Sequence, residues 1–152
     1  MGEVIGVVGA GTMGNGIAQV AARAGYEVVL RDIKEEFLQR GMSAIDKSLQ
    51  RDVDKERLKE EEKRAIIARI RPTIELDDLK DAAFIIEAVT ENVAVKTEIF
   101  QALEELAQAG AILASNTSSI SITKLGAATR RPPRDRRPRP RPRRPVARPR
   151  VR

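Results

Sequence analysis

The first thirty-two residues are patterned as apolar runs separated by a glycine-rich gap. Residues 4–8, VIGVV, are almost wholly apolar and stop at a glycine cluster, the pattern of a strand buried on both faces of a parallel sheet. Apolar residues then recur at helical spacing, at Met13, Ile17, Val20, Ala21 and Ala24, and the run ends at Gly25. Glycine at that place closes a helix well. Residues 26–32, YEVVLRD, read as a second strand. Strand, helix and strand within about thirty residues predict a βαβ unit.

Beyond it the pattern changes. Residues 34–68 are charged, free of proline and hold one glycine, Gly41, which predicts two helices over 34–50 and 54–68. Residues 69–74 predict a short strand that Pro72 makes edge-like. AAFIIEAV, 82–89, predicts another buried strand. Residues 92–108 predict an amphipathic helix with Val95, Ile99, Leu103 and Leu106 on one face, ending near Gly110. AILAS, 111–115, predicts a fifth strand. Strands alternating with helices imply an α/β fold around a parallel sheet, with a helical hairpin after the second strand. There is no internal repeat.

Composition divides the chain in two. Residues 130–152 hold seven of the eight prolines, 12 of the 28 Lys and Arg, and one of the 22 Asp and Glu, a net charge of +11. Residues 1–129 therefore carry a net of −5, and the chain's overall +6 belongs to the tail. Dense proline, repelling arginines and no apolar face predict a disordered tail with local polyproline II, following a folded domain over 1–129. The absence of cysteine excludes disulfides and thiolate metal sites. The absence of histidine removes the usual zinc ligand and the commonest general base, so no metal site is expected. The N-terminus does not read as a signal peptide, and no stretch approaches the ~20 apolar residues of a membrane span. A cytoplasmic protein is expected.

The glycine gap is Gly9-Ala10-Gly11-Thr12-Met13-Gly14, a G-x-G-x-x-G. The first glycine permits the tight turn, the second lets the backbone approach a pyrophosphate, and the third lets the helix pack on the strand. The helix start offers that pyrophosphate free N–H groups and a partial positive charge. The pattern follows a strand, opens a helix, and is followed by Asp32, 21 residues after Gly11, closing the next strand. Together these predict a Rossmann-type doubly wound domain that binds NAD. As a ligand, Asp32 would accept hydrogen bonds from the adenosine ribose and repel a 2′-phosphate, favouring NAD over NADP. Arg31 is expected to point away and is not counted for NADP. The alternatives are a tight turn with no ligand, and Asp32 as the N-cap of the helix beginning at Lys34.

Two later stretches, IIEAVTENVAVKTEIF (85–100) and LASNTSSISITKL (113–125), together with GVVGAGTMGNGIA, resemble the NAD-binding half of the 3-hydroxyacyl-CoA dehydrogenases. The resemblance runs from about residue 3 to about residue 134, and covers about half of a complete family member. It implies that Glu91 and Lys96 contact NAD, that Asn116 reaches the nicotinamide ribose, and that Ser118 reaches both this region and the substrate's 3-oxygen as the catalytic residue present. It also offers Ser48 and Lys55, on the helical pair, to the phosphates of coenzyme A, so the implied partner is an acyl-CoA. The competing readings are a solvated Glu91–Lys96 charge pair, a polar turn capping a helix near Ser121, and ordinary exposed helix residues at Ser48 and Lys55.

Family members also carry an H-F-x-N-P segment, whose histidine takes the substrate's proton, a glutamate that orients it, and a helical second domain that forms the dimer. Here RRPRPRPRRPVARPR stands where that segment is expected, with no histidine in the chain and no glutamate beyond Glu105. The expectation is a truncated or frameshifted, catalytically impaired chain without the family's dimer interface. A shifted reading of GC-rich coding sequence tends to yield Arg and Pro, and H-F-x-N-P in another frame after codon 134 would establish it. The rivals are a non-catalytic NAD-binding module whose basic tail holds nucleic acid unspecifically, and another Rossmann dehydrogenase of the 6-phosphogluconate type. The tail has no Phe, Tyr or Trp to stack bases, so its grip would be on phosphate alone.

Overall fold

The computed structural model describes residues 2–89 and 92–116. Five strands, β1 (Val4–Val8), β2 (Glu27–Arg31), β3 (Ile70–Thr73), β4 (Phe84–Glu87) and β5 (Ile112–Ser115), form one parallel sheet in the order β3-β2-β1-β4-β5. The helices are α1 (Thr12–Arg23), α2 (Glu35–Asp54), α3 (Glu60–Ala68) and α4 (Val93–Leu106), with a 3-10 turn at Leu76–Leu79. The chain adds β2 and β3 to one side of β1 and β4 and β5 to the other, so a crevice opens at the carboxyl ends of β1 and β4, where such sheets bind ligands.

Alternation along the strands feeds two cores. Val7, Val28 and Leu30 face α1–α3 and pack with Ala18, Ala22, Leu38, Ile45, Leu49 and Ile66. Val8, Val29 and Ile85 face the other way, onto Leu79, Ala82 and Leu103. Both faces are covered, which is why these strands read as continuous apolar runs. The expected doubly wound sheet with a helical hairpin after β2 is what the structure has, and Pro72 lies on an edge strand. The expected tail lies outside the described residues.

Three local expectations need correction. The hairpin's first helix runs four residues beyond 50, to Asp54, and the second starts at Glu60. Nothing in residues 50–54 breaks a helix. The stop comes from Glu56, which takes a left-handed φ of 57°, while its N–H and that of Arg57 bond back to the Val53 and Asp52 carbonyls at 2.9 and 2.8 Å. In α1 the buried row is Gly14, Ala18 and Ala22, and Met13 and Val20 are exposed. The small residues face the sheet because the helix lies too close to it for large ones. Gly25 ends α1 as expected, at φ 98°, with its N–H and that of Tyr26 bonded to Ala22 and Ala21. In α4 the buried residues are Lys96, Phe100 and Leu103, whereas Val95 is exposed and Ile99 and Leu106 are partly buried. Ile99, Leu103 and Leu106 thus pack on the core as apolar spacing predicts, and a fully buried lysine goes in beside them while Val95 stays out.

Candidate functional site

The glycine gap is a turn wedged between β1, α1 and β4. Gly9 sits at φ 108°, donates its N–H to the Arg31 carbonyl at 2.7 Å, and has the Ala88 carbonyl 2.7 Å from where a Cβ would stand. At Gly14 a Cβ would fall 1.6 Å from the Gly9 carbonyl oxygen, so the first turn of α1 is pressed onto the loop. Gly11 differs. It is the N-cap of α1 in extended conformation, and a Cβ there would meet nothing within 4 Å. The chain's own packing gives no reason for glycine at this position. No side chain caps α1 and no acidic residue occupies its first turn, which suits an anion brought against the backbone N–H groups. Thr12 and Met13 are exposed beside it.

Asp32 is tied to this loop. Its Oδ2 accepts the N–H of the buried Ala10 at 2.8 Å, and its Oδ1 accepts that of Ile33 at 2.7 Å. The N-cap of α2 is Lys34, without a side-chain bond, so Asp32 does not cap that helix. Each carboxylate oxygen keeps further acceptor capacity for ribose hydroxyls. Arg31 turns its guanidinium to the Ile74 carbonyl, at 3.3 Å. The hairpin is fitted to the loop through Gly41, where a Cβ would stand 2.7 Å from the Ala10 carbonyl oxygen.

Across the crevice a carboxylate the sequence reading did not single out organises the other wall. Glu87, the last residue of β4, is fully buried. Its Oε1 accepts from Lys96 Nζ at 2.6 Å and from the Val89 N–H at 2.8 Å, and its Oε2 accepts from Ser115 Oγ at 2.6 Å. Lys96 is also fully buried and donates to the Val89 carbonyl at 3.3 Å. Lys96 is therefore not a solvated charge, and the buried pair is held by bonds on both partners, the condition under which one is tolerated. One signal was legible: a lone carboxylate closing an otherwise apolar strand, nine residues before a lysine.

The exposed Asn116 follows β5, and its N–H donates to the Glu87 carbonyl at 2.8 Å. The structure thus joins Gly9–Gly14 to Asp32 on one side and Lys96 to Asn116, through Glu87, on the other. Ser48 is half-buried rather than exposed, and its Oγ accepts from Gln19 Nε2 on α1 at 3.1 Å. Lys55 is exposed at the end of α2. Glu91 and Ser118 lie outside the described residues. Among the described residues no group of three His, Cys, Asp or Glu could hold a metal ion, and no helix is long and apolar enough to cross a membrane.

Residues 4–135 match the protein family described as 3-hydroxyacyl-CoA dehydrogenase, NAD binding domain. The chain is 49% identical over 130 residues to a 3-hydroxybutyryl-CoA dehydrogenase of Bradyrhizobium diazoefficiens, covering 86% of this chain and 44% of that one. It is 47% identical over 131 residues to one of Mycobacterium tuberculosis, covering 86% and 46%. Its fold superposes on the crystal structure of (S)-3-hydroxybutyryl-CoA dehydrogenase from Ralstonia eutropha with a TM-score of 0.83, at 46% identity over 86% of this chain and 46% of the other. The chain spans less than half the length of each of these proteins.

Proposed function

The chain belongs to the NAD-binding domain family of the 3-hydroxyacyl-CoA dehydrogenases, and from that premise we propose that it forms the cofactor half of an enzyme that oxidises (S)-3-hydroxyacyl-CoA to 3-oxoacyl-CoA. The observation that carries the reading is the pairing of a bare Gly11 with an Asp32 already oriented by the Ala10 N–H. A pyrophosphate fits where Gly11 leaves the backbone open, at the uncapped start of α1, and the adenosine ribose fits against Asp32. This supports contacts from Gly9, Ala10, Gly11, Thr12, Met13 and Gly14 to the cofactor. Glu91, Lys96, Asn116 and Ser118 belong to the nicotinamide side in this reading. When bound, NAD supplies the hydride acceptor.

Ser118 positions the substrate's 3-oxygen, and Ser48 and Lys55 hold coenzyme A phosphates from the hairpin. For Ser48 this requires sharing the hydroxyl that Gln19 now engages. The proton of the 3-hydroxyl needs a base, and this chain of 152 residues has no histidine to supply one. Positioning alone leaves a deficit of ~10²–10⁴-fold for a missing general base. The chain by itself is therefore a weakly active or inactive NAD-binding domain.

Fluorescence titration with NADH, followed by absorbance at the NADH band with NAD and 3-hydroxybutyryl-CoA, tests both halves of the proposal. Saturable NADH binding with negligible turnover is expected. No binding would remove the cofactor reading, and turnover at the rate of a complete enzyme would remove the impairment.

A further inference from the structure

Resting on the cofactor reading above, we propose that Ser115 and Glu87 form a positioning device that fixes the nicotinamide side of the crevice independently of the adenosine side. Glu87 and Ser115 are partners in the β4–β5 register. Glu87 holds the end of β5 twice, through its main-chain carbonyl to the Asn116 N–H and through its carboxylate to the Ser115 hydroxyl. The same carboxylate holds the exit from β4 through the Val89 N–H, and the start of α4 through Lys96. One buried side chain thereby sets the direction in which the chain leaves both strands that flank this half of the crevice.

The adenosine side is set by different bonds. There the Gly9 N–H holds the Arg31 carbonyl and the Ala10 N–H holds Asp32, bonds that do not include Glu87. The loop meets β4 at Ala88 and Val89, whereas Ser115 stands one strand further out, on β5. In a doubly wound sheet the dinucleotide lies across the crevice, with one nucleotide against the β1–β2 ends and the other against the β4–β5 ends. Loosening Ser115 should therefore be felt by one half of the cofactor only. Ser115 is the right lever because its hydroxyl is neutral. Removing it leaves the buried Lys96–Glu87 pair intact, whereas removing either charge would strand the other in the core.

The test compares NADH with ADP-ribose, which carries the adenosine and pyrophosphate but no nicotinamide, on the full chain. Ser115→Ala is expected to weaken NADH about fivefold or more, the usual consequence of losing one charge-assisted hydrogen bond. Its ADP-ribose affinity should stay within about twofold of the parent's, and Ser115→Thr, which keeps the hydroxyl, should restore NADH binding. A merely structural loss would weaken both ligands alike, and that result overturns the proposal, as does a Ser115→Ala chain that binds NADH like its parent. A parent chain that binds neither ligand overturns the cofactor reading and this inference with it. Should Ser115→Ala fold poorly, Ser115→Val decides in its place, being the shape of Thr without the hydroxyl: NADH weakened with ADP-ribose unchanged supports the hydroxyl's role, and NADH bound as tightly as by the Ser115→Thr chain overturns it.

Discussion

Gly11 and Gly14 stand three residues apart and lack side chains for different reasons, which makes them separable by experiment. At Gly14 any Cβ collides with the Gly9 carbonyl, and the obstacle is backbone that cannot swing aside. Gly14→Ala should cost ~2 kcal/mol or more in denaturant unfolding, at the upper part of the overpacking range. At Gly11 the space is open and the backbone is extended. Gly11→Val should change stability by no more than about 1 kcal/mol, the cost of a poorer N-cap, yet weaken NADH at least tenfold, about 1.4 kcal/mol, by filling the approach to the loop. A Gly11→Val chain that unfolds as easily as Gly14→Ala would mean that the loop is bare for its own packing. Asp32 combines both kinds of role. Asp32→Ala leaves the Ala10 N–H without its acceptor, for about 1–2 kcal/mol of stability. It should also narrow the preference for NADH over NADPH, because the carboxylate that repels a 2′-phosphate is gone. Parallel titrations with the two cofactors check this, and an unchanged ratio would take Asp32 out of the ribose site.

At the level of elements, the end of α2 shows a helix stopped by a conformation its residue does not favour. Glu56 occupies the left-handed place that Gly25 fills at the end of α1, with the same pair of backbone bonds. Left-handed φ costs a non-glycine residue ~1–2 kcal/mol, of which glycine would return part as lost chain entropy. Glu56→Gly should therefore stabilise the domain by about 0.5–1 kcal/mol, read as a rise in the denaturant midpoint at constant slope. A drop would show that the Glu56 side chain makes contributions of its own. The same two helix ends show what sequence can carry. Gly25 announced its stop because glycine is the residue such stops prefer, whereas Glu56 announced nothing. Strands were legible because burial on both faces leaves apolar runs at 4–8 and 82–86. The inward faces of α1 and α4 were legible only in part, since apolar spacing finds large residues. In α1 the buried row is Gly14, Ala18 and Ala22, with Ile17 and Ala21 packed beside it, and in α4 a lysine goes in. The glycine loop and Asp32 were readable as a motif. Glu87 left only the signal of a lone carboxylate in an apolar strand, because what it does depends on how α4 and β5 fold back onto it.

Taken whole, the molecule is electrostatically divided in a way that separates two kinds of binding. Residues 1–129 are net acidic, −5, and residues 130–152 are net basic, +11. If the arginine stretch holds a polyanion such as duplex DNA, its +11 supplies the attraction and the acidic residues 1–129 oppose it. Twelve arginines can neutralise phosphates, and the stretch has no aromatic residue to serve as a stacking platform for bases. If roughly six to ten of those arginines reach phosphate, log affinity should fall with log salt at a slope of roughly −5 to −9, losing about 10³–10⁵ between 50 and 200 mM. Base composition of the DNA should not matter. NADH affinity, set by hydrogen bonds in the crevice on the other part of the chain, should be the same with and without DNA. Anisotropy titrations of labelled duplexes over a salt series, repeated with NADH present, measure both. A shallow slope, a sequence preference, or coupling between the two ligands would mean that the arginine stretch recognises something beyond phosphate charge.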